Sequence, residues 1–297
     1  MNEKYKQDFI QAGRMAHQVR AFGKALIKAG ASYNEVITKI KEKIFSLGAI
    51  PAFPPQIALD NVAAHFLPQP DEDIIFSQEV IKLDVGICYQ GAIGDCAVTV
   101  DLSGKYQALI DAVENALLSA EHSIHVGLPI KEIGRIIEEK ISSYGFKPVK
   151  NLAGHGLGIY KVHMAPLIPN YCDNSTAIVK PGMTFAIEPF ATDGKGLIYE
   201  AGSPTIFSFV RARPIPLSVP LSLIAKIKSF SGLPFCMHDL IEAELELPEI
   251  RRHMAELLKA GVVVGYAPLV EEGQGIVAQA ENSVLVDKTG KVFITTR

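Results

Sequence analysis

Four carboxylates stand inside runs of apolar, strand-forming residues, and a chain with that pattern needs something to neutralise them. Asp84 lies in Ile81-Lys82-Leu83-Asp84-Val85-Gly86 and Asp95 in Gly94-Asp95-Cys96-Ala97-Val98. Glu188 lies in Phe185-Ala186-Ile187-Glu188-Pro189-Phe190 and Glu281 in Gln279-Ala280-Glu281-Asn282-Ser283-Val284. Acids are disfavoured in strands and costly when buried unpaired. If a hairpin turns at Tyr89-Gln90, residues whose numbers sum to 179 oppose each other, and Asp84 then faces Asp95. Their Cβ atoms would lie roughly 4.5 to 5.5 Å apart, close enough for each charge to raise the other's pKa. One divalent cation, or a pair about 3.5 to 4 Å apart, removes that conflict. The alternatives are a solvent-facing strand surface or pairing with Arg or Lys, and Lys82 is the one cation in these runs. His155 adds an imidazole between Gly154 and Gly156, glycines that permit unusual angles or close approach. Oxygen-rich ligation with one imidazole suits Mn, Fe, Co or Zn.

The rest of the chain supplies a core for such a site. Of 297 residues 48% are hydrophobic and 21% charged, with a net charge of −3, which gives no footprint for nucleic acid and no basic face for a membrane. The mean hydropathy of +0.20 raises the question of membrane spans, but no run of 18 apolar residues occurs. The polar N-terminus reads as helix rather than signal peptide. Cys88, Cys96, Cys172 and Cys236 form no C-x-x-C pair and read as buried, reduced thiols of a cytoplasmic protein.

Apolar spacing predicts helices over 3–29 and 32–47, the second capped by Ser32. A strand hairpin over 79–101 follows, then helices over 105–125 and 130–144 and strands over 149–153, 183–190 and 197–201. Segment 211–262 differs, with Pro-bounded helical patterns over 219–230 and 248–260, and a strand pair over 274–286 and 291–295 ends the chain. Helices and strands come in αα-ββ blocks, which favours α+β with an antiparallel sheet over a doubly wound fold.

From about Phe53 to Val284 these segments, in this order, resemble the methionine aminopeptidases, whose five-ligand order is matched by Asp84, Asp95, His155, Glu188 and Glu281. The resemblance implies the pita-bread fold: a curved antiparallel sheet in pseudo-twofold halves with helices outside. The 92 residues between Glu188 and Glu281 leave room for a helical insert subdomain at 211–262 within one catalytic domain. Such an insert marks the type 2 enzymes, which Leu233-Pro234-Phe235 and Gly265-Tyr266-Ala267-Pro268-Leu269 also resemble. With no zinc-finger or polybasic extension, the chain is similar to the short archaeal form. His65 resembles the family's substrate-contacting histidine, His163 the one that steadies the tetrahedral intermediate, and Phe53 a wall of the methionine pocket. His17, His122, His125, His238 and His253 match no such motif. Ala280 and Asn282 stand where the family commonly has Phe and His, and Met164-Ala165 replaces a smaller pair.

The resemblance implies a metal-dependent hydrolase that removes the initiator methionine from nascent proteins and prefers a small second residue. It carries two divalent ions (Co, Mn, Fe, Zn or Ni). Asp84 chelates one, Asp95 and Glu281 bridge, His155 and Glu188 complete the other, and Glu188 is also the general base. It further implies a cytoplasmic monomer working near the ribosome. The competing readings are an Xaa-Pro aminopeptidase of the same fold, which usually has a large N-terminal domain, and a non-catalytic binding relative, which typically loses ligands.

Overall fold

The first helix begins where Asn2 Oδ1 accepts from the Tyr5 backbone N–H at 2.7 Å, and it buries Phe9, Ala12, Ala16 and Val19 along one stripe. This is α1 (Glu3–Leu26), three residues shorter at its end than the periodicity predicts. Ser32 Oγ caps α2 (Tyr33–Ser46), whose Val36, Ile40 and Ile44 face the same core. The computed structural model describes residues 1–210, 213–241 and 245–297. Among these, the remaining α-helices are α3 (Gln107–Ser123), α4 (Ile130–Ser143), α5 (Leu221–Ser229) and α6 (Leu247–Lys259).

The chain forms two similar halves, each a helix pair packed on an antiparallel sheet. In the first, α1 and α2 cover the hairpin Val80–Tyr89 and Ala92–Asp101, whose outer edge pairs with Ile50–Pro51 and Gln56–Leu59. In the second, α3 and α4 pack on a five-stranded sheet. Its order is Val292–Ile294, Asn282–Val286, Thr184–Ile187, Ala153–Gly158 and Lys161–Pro169. The strand Lys161–Pro169 has no counterpart among the sequence expectations, because Pro166 and Pro169 interrupt its pattern.

The hairpin register differs from the expected one. The turn is Gln90-Gly91, with φ of 53° and 84°, the left-handed pair that a two-residue hairpin turn requires. Glycine takes such a φ without steric cost, so the turn centres one residue later than Tyr89-Gln90. Asp84 consequently pairs with Ala97, and Asp95 with Gly86. The offset of two residues keeps both carboxylates on one face as diagonal neighbours rather than direct opposites. Glu188 and Glu281 also depart from the mid-strand expectation. Each occupies a two-residue break, between Thr184–Ile187 and Phe190–Thr192, and between Val277–Gln279 and Asn282–Val286.

Residues α5 to α6 gather round a core of their own, including Leu223, Phe235, Leu240 and Leu257. This is where the sequence places the 211–262 insert; Arg211, Ala212 and Glu242 to Glu244 lie outside the described residues. The segment is not wholly helical. Phe235–Cys236 pairs with Ile206–Phe209, which pairs with Val263–Tyr266 and so roots the segment in the main body. All four cysteines are free. Cys88, Cys96 and Cys236 are buried, but Cys172 is exposed, contrary to the sequence reading, because it lies in a loop beyond the strand ending at Pro169. Among the described residues no helix is long and apolar enough to cross a membrane.

Candidate metal centre

The two halves bring their acids to one cavity of about 150 Å³. Asp84 and Asp95 enter from the first hairpin, His155 from Ala153–Gly158, and Glu188 and Glu281 from the two strand breaks. One ligand atom each from Asp95, His155 and Glu281 lies within 4.8 Å of the others. His155 Nε2 is 3.4 Å from Glu188 Oε1 and 3.8 Å from Asp95 Oδ2. Asp84 lines the same cavity but falls outside that tight group of three.

The glycines beside His155 serve the neighbouring backbone. A Cβ on Gly154 would meet the Ala186 carbonyl oxygen at 2.4 Å, and one on Gly156 the Ala165 carbonyl oxygen at 2.5 Å. Neither has a positive φ, so close strand approach, not an unusual backbone angle, accounts for them.

Burial dominates the electrostatics. It lifts Asp84 to about 7. It holds Asp95, Glu188 and Glu281 well above the carboxylate range, and the neighbouring carboxylate charges add to the rise. Burial also lowers His155 to about 3 and His65 to about 4, each helped by the nearby His163, and it lowers His163 too. At neutral pH these imidazoles are uncharged, the form in which they ligate metals. Lys82 Nζ turns to the Asp60 carbonyl at 2.6 Å and does not reach the acids. Among the described residues no Lys or Arg side chain forms an ion pair with Asp84, Asp95, Glu188 or Glu281. Asp84 Oδ1 and Asp95 Oδ1 are buried oxygens without a hydrogen-bond partner. A donor set of four carboxylates and a neutral imidazole, with orphaned oxygens, fits one or more hard or borderline divalent cations.

The other expected residues line the same cavity. Phe53 packs so tightly on Gly86 that a Cβ there would meet its ring at 2.3 Å. The His163 ring is 4.3 Å from that of His155, edge to face. His65 has a φ of 59° and is pinned on both sides: Gln56 Oε1 accepts from its N–H at 2.6 Å, and Thr205 Oγ1 donates to its carbonyl at 2.6 Å. Sequence reasoning did not single out Gln56, which pairs with Asp84 across the strands, or Ile206 and Phe190, which complete the apolar wall. The available signal for the first is a polar Gln heading the apolar run Ile57-Ala58-Leu59.

The model of metallopeptidase family M24 matches residues 7–210. The methionine aminopeptidase of Methanocaldococcus jannaschii is 38% identical over 293 residues, covering 98% of each chain. Among solved structures, a methionine aminopeptidase from Thermotoga maritima superposes with a TM-score of 0.73 at 20% identity, covering 100% of this chain and 98% of that one. A thermophilic Arx1 superposes with a TM-score of 0.83 at 13% identity, covering 99% and 91%. These last two likenesses bear on the fold, which is the pita-bread fold.

Proposed function

The chain belongs to metallopeptidase family M24, on its methionine aminopeptidase branch, and on that footing we propose that it releases N-terminal methionine from nascent polypeptides. The reaction depends on two divalent cations and prefers a small second residue. We read the chain as a cytoplasmic monomer of the type 2 kind, with 211–262 as its insert subdomain. The observation that carries the reading is the convergence of Asp95, His155 and Glu281 within 4.8 Å, with Glu188 3.4 Å from the imidazole, in a cavity that Asp84, His65 and His163 share with a wall of apolar side chains.

Asp84, Asp95, His155, Glu188 and Glu281 would hold the cations. When bound, such ions polarise a carbonyl and lower the pKa of water to about 7. Glu188, held ionised when cations offset the neighbouring carboxylates, would take a proton from the attacking water and return it to the leaving amine. His163, kept neutral by burial, donates its remaining N–H to the developing oxyanion. His65 holds the leaving side from a backbone position fixed by Gln56 and Thr205. Phe53, Ile206, Phe190 and Tyr266 form the wall for the methionine side chain, and the confined volume disfavours a bulky second residue.

A peptide panel tests the substrate class: Met-Ala-Ser, Met-Leu-Ser and Ala-Pro-Ser with the full chain and manganese. Rapid release of methionine from the first, slow release from the second and none from the third is expected. Preferential cleavage of Ala-Pro-Ser would replace this reading with the proline-specific one, and no cleavage of any peptide would favour a non-catalytic relative.

A further inference from the structure

Outside the cavity lining, a chain of polar contacts ties α1 and the C-terminal residues to the segment around Glu281. Arg20, from α1, donates through Nη1 to the Glu281 carbonyl at 2.8 Å and to Asn282 Oδ1 at 2.9 Å. The same nitrogen reaches the Ala97 carbonyl at 3.4 Å, and Nη2 donates to the Thr296 carbonyl at 2.8 Å. Asn282 Nδ2 in turn donates to Glu121 Oε1 at 2.6 Å, and Glu121 Oε2 lies 2.9 Å from Arg297 Nη1.

The location of these contacts gives them their meaning. Asp95 lies in the first hairpin and Glu281 in the break before Asn282–Val286, and the two segments meet at an Ala97–Glu281 backbone pair with bonds of 3.3 and 3.4 Å. Ser283 secures the other end of this junction, since its Oγ accepts from the Asp95 N–H at 2.8 Å and donates to the Asp95 carbonyl at 2.9 Å. Arg20 Nη1 alone reaches both carbonyls of the long pair while Nη2 anchors to Thr296, and hydrogen bonds from a charged donor are roughly twice as strong as neutral ones. Asn282 is buried and its amide orientation is settled. Oδ1 receives both Arg20 and Thr296 Oγ1 at 2.8 Å, while Nδ2 faces a carboxylate. An imidazole has one acceptor nitrogen and could not accept from both donors.

We propose that Arg20, Asn282 and Glu121 are positioning residues that fix the spacing of the Asp95 and Glu281 carboxylates from outside the cavity lining, so that cation affinity depends on α1 and the C-terminal residues. The inference rests on the metal-centre reading above. None of the three residues touches substrate or cation, and each acts through the backbone at Glu281.

The test is a cobalt(II) titration of the full chain after stripping with chelator, read by calorimetry and by the visible absorption of bound cobalt. Wild type is compared with Arg20→Leu, Arg20→Lys, Asn282→Ala and, as a destabilised control remote from the junction, Glu271→Gln. Arg20→Leu and Asn282→Ala should bind cobalt about 10- to 100-fold more weakly with altered bands. Arg20→Lys, which keeps the charge but loses the fork, should fall between. Glu271→Gln should keep wild-type affinity despite lower thermal stability. If Arg20→Leu does not fold, Asn282→Ala decides. Wild-type affinity and spectrum in folded Asn282→Ala and Arg20→Lys would reduce the network to a structural brace and overturn the proposal. No cobalt uptake by wild type would overturn the metal-centre reading itself, and the two failures are thereby distinguished.

Discussion

Replacing Asp84 by Asn should stabilise the metal-free protein and weaken the metal-loaded one, and the size of the first effect follows from the site. Burial lifts the Asp84 carboxyl to about 7, against about 3.9 for an ordinary aspartate. The folded state therefore binds one more proton than the unfolded state between those values. Stability must fall as pH rises through that window, by up to about 1.4 kcal/mol per pH unit, and the loss is complete above the folded pKa. Three units correspond to about 4 kcal/mol. Relaxation of the empty cluster trims the benefit of the neutral amide to roughly 2–4 kcal/mol at pH 7.5, shrinking toward zero near pH 4. Chemical unfolding with chelator present, at pH 5, 6 and 7.5, measures both the gap and its slope. Manganese at about 1,000 times its Kd should then reverse the order, because it adds roughly 4.1 kcal/mol to the protein that binds it. A metal-free variant no more stable than wild type at pH 7.5, or one with the same pH slope, would refute the reasoning.

Three further outcomes are expected. Glu271 is buried, which pushes its carboxyl up. The backbone N–H groups of Lys195, Gly196, Gly273 and Gly275 outweigh this and hold it below the usual range. Glu271→Ala should cost about 2–4 kcal/mol in urea unfolding at pH 7, and this difference should fade as pH drops below about 4, through the folded pKa. Gly86→Ala places a Cβ 2.3 Å from the Phe53 ring, so it should raise KM for methionyl peptides at least several-fold with a smaller change in thermal stability. Gly94→Ala meets the Ala12 carbonyl at 2.4 Å, backbone that cannot swing aside, and thermal unfolding should show a loss of about 2–4 kcal/mol from displaced α1.

The helices and the main hairpin were legible because long apolar stripes and Ser32 capping are local signals that the tertiary structure left intact. The acids were conspicuous for the opposite reason: Asp84 and Asp95 violate local propensity, and such violations concentrate where function demands them. The register was misplaced by two residues because the glycine at position 91, not the centre of the polar triplet, sets the turn. The strand Lys161–Pro169 was hidden by its prolines and its exposed, non-alternating pattern. Arg20 and Glu121 carried no signal, since a lone Arg in an amphipathic helix and a lone Glu in α3 look like solvated residues. What makes them notable is contact with Asn282, 262 and 161 residues away in sequence.

The most direct test of the central claim is methionine release from Met-Ala-Ser by the purified full chain, with manganese, with chelator, and beside Glu188→Ala. Release that requires the cation, stops with chelator and is lost in the variant, while the variant still folds, is the predicted result. Release that persists under chelator or in Glu188→Ala would contradict the assignment of this cluster as the catalytic centre.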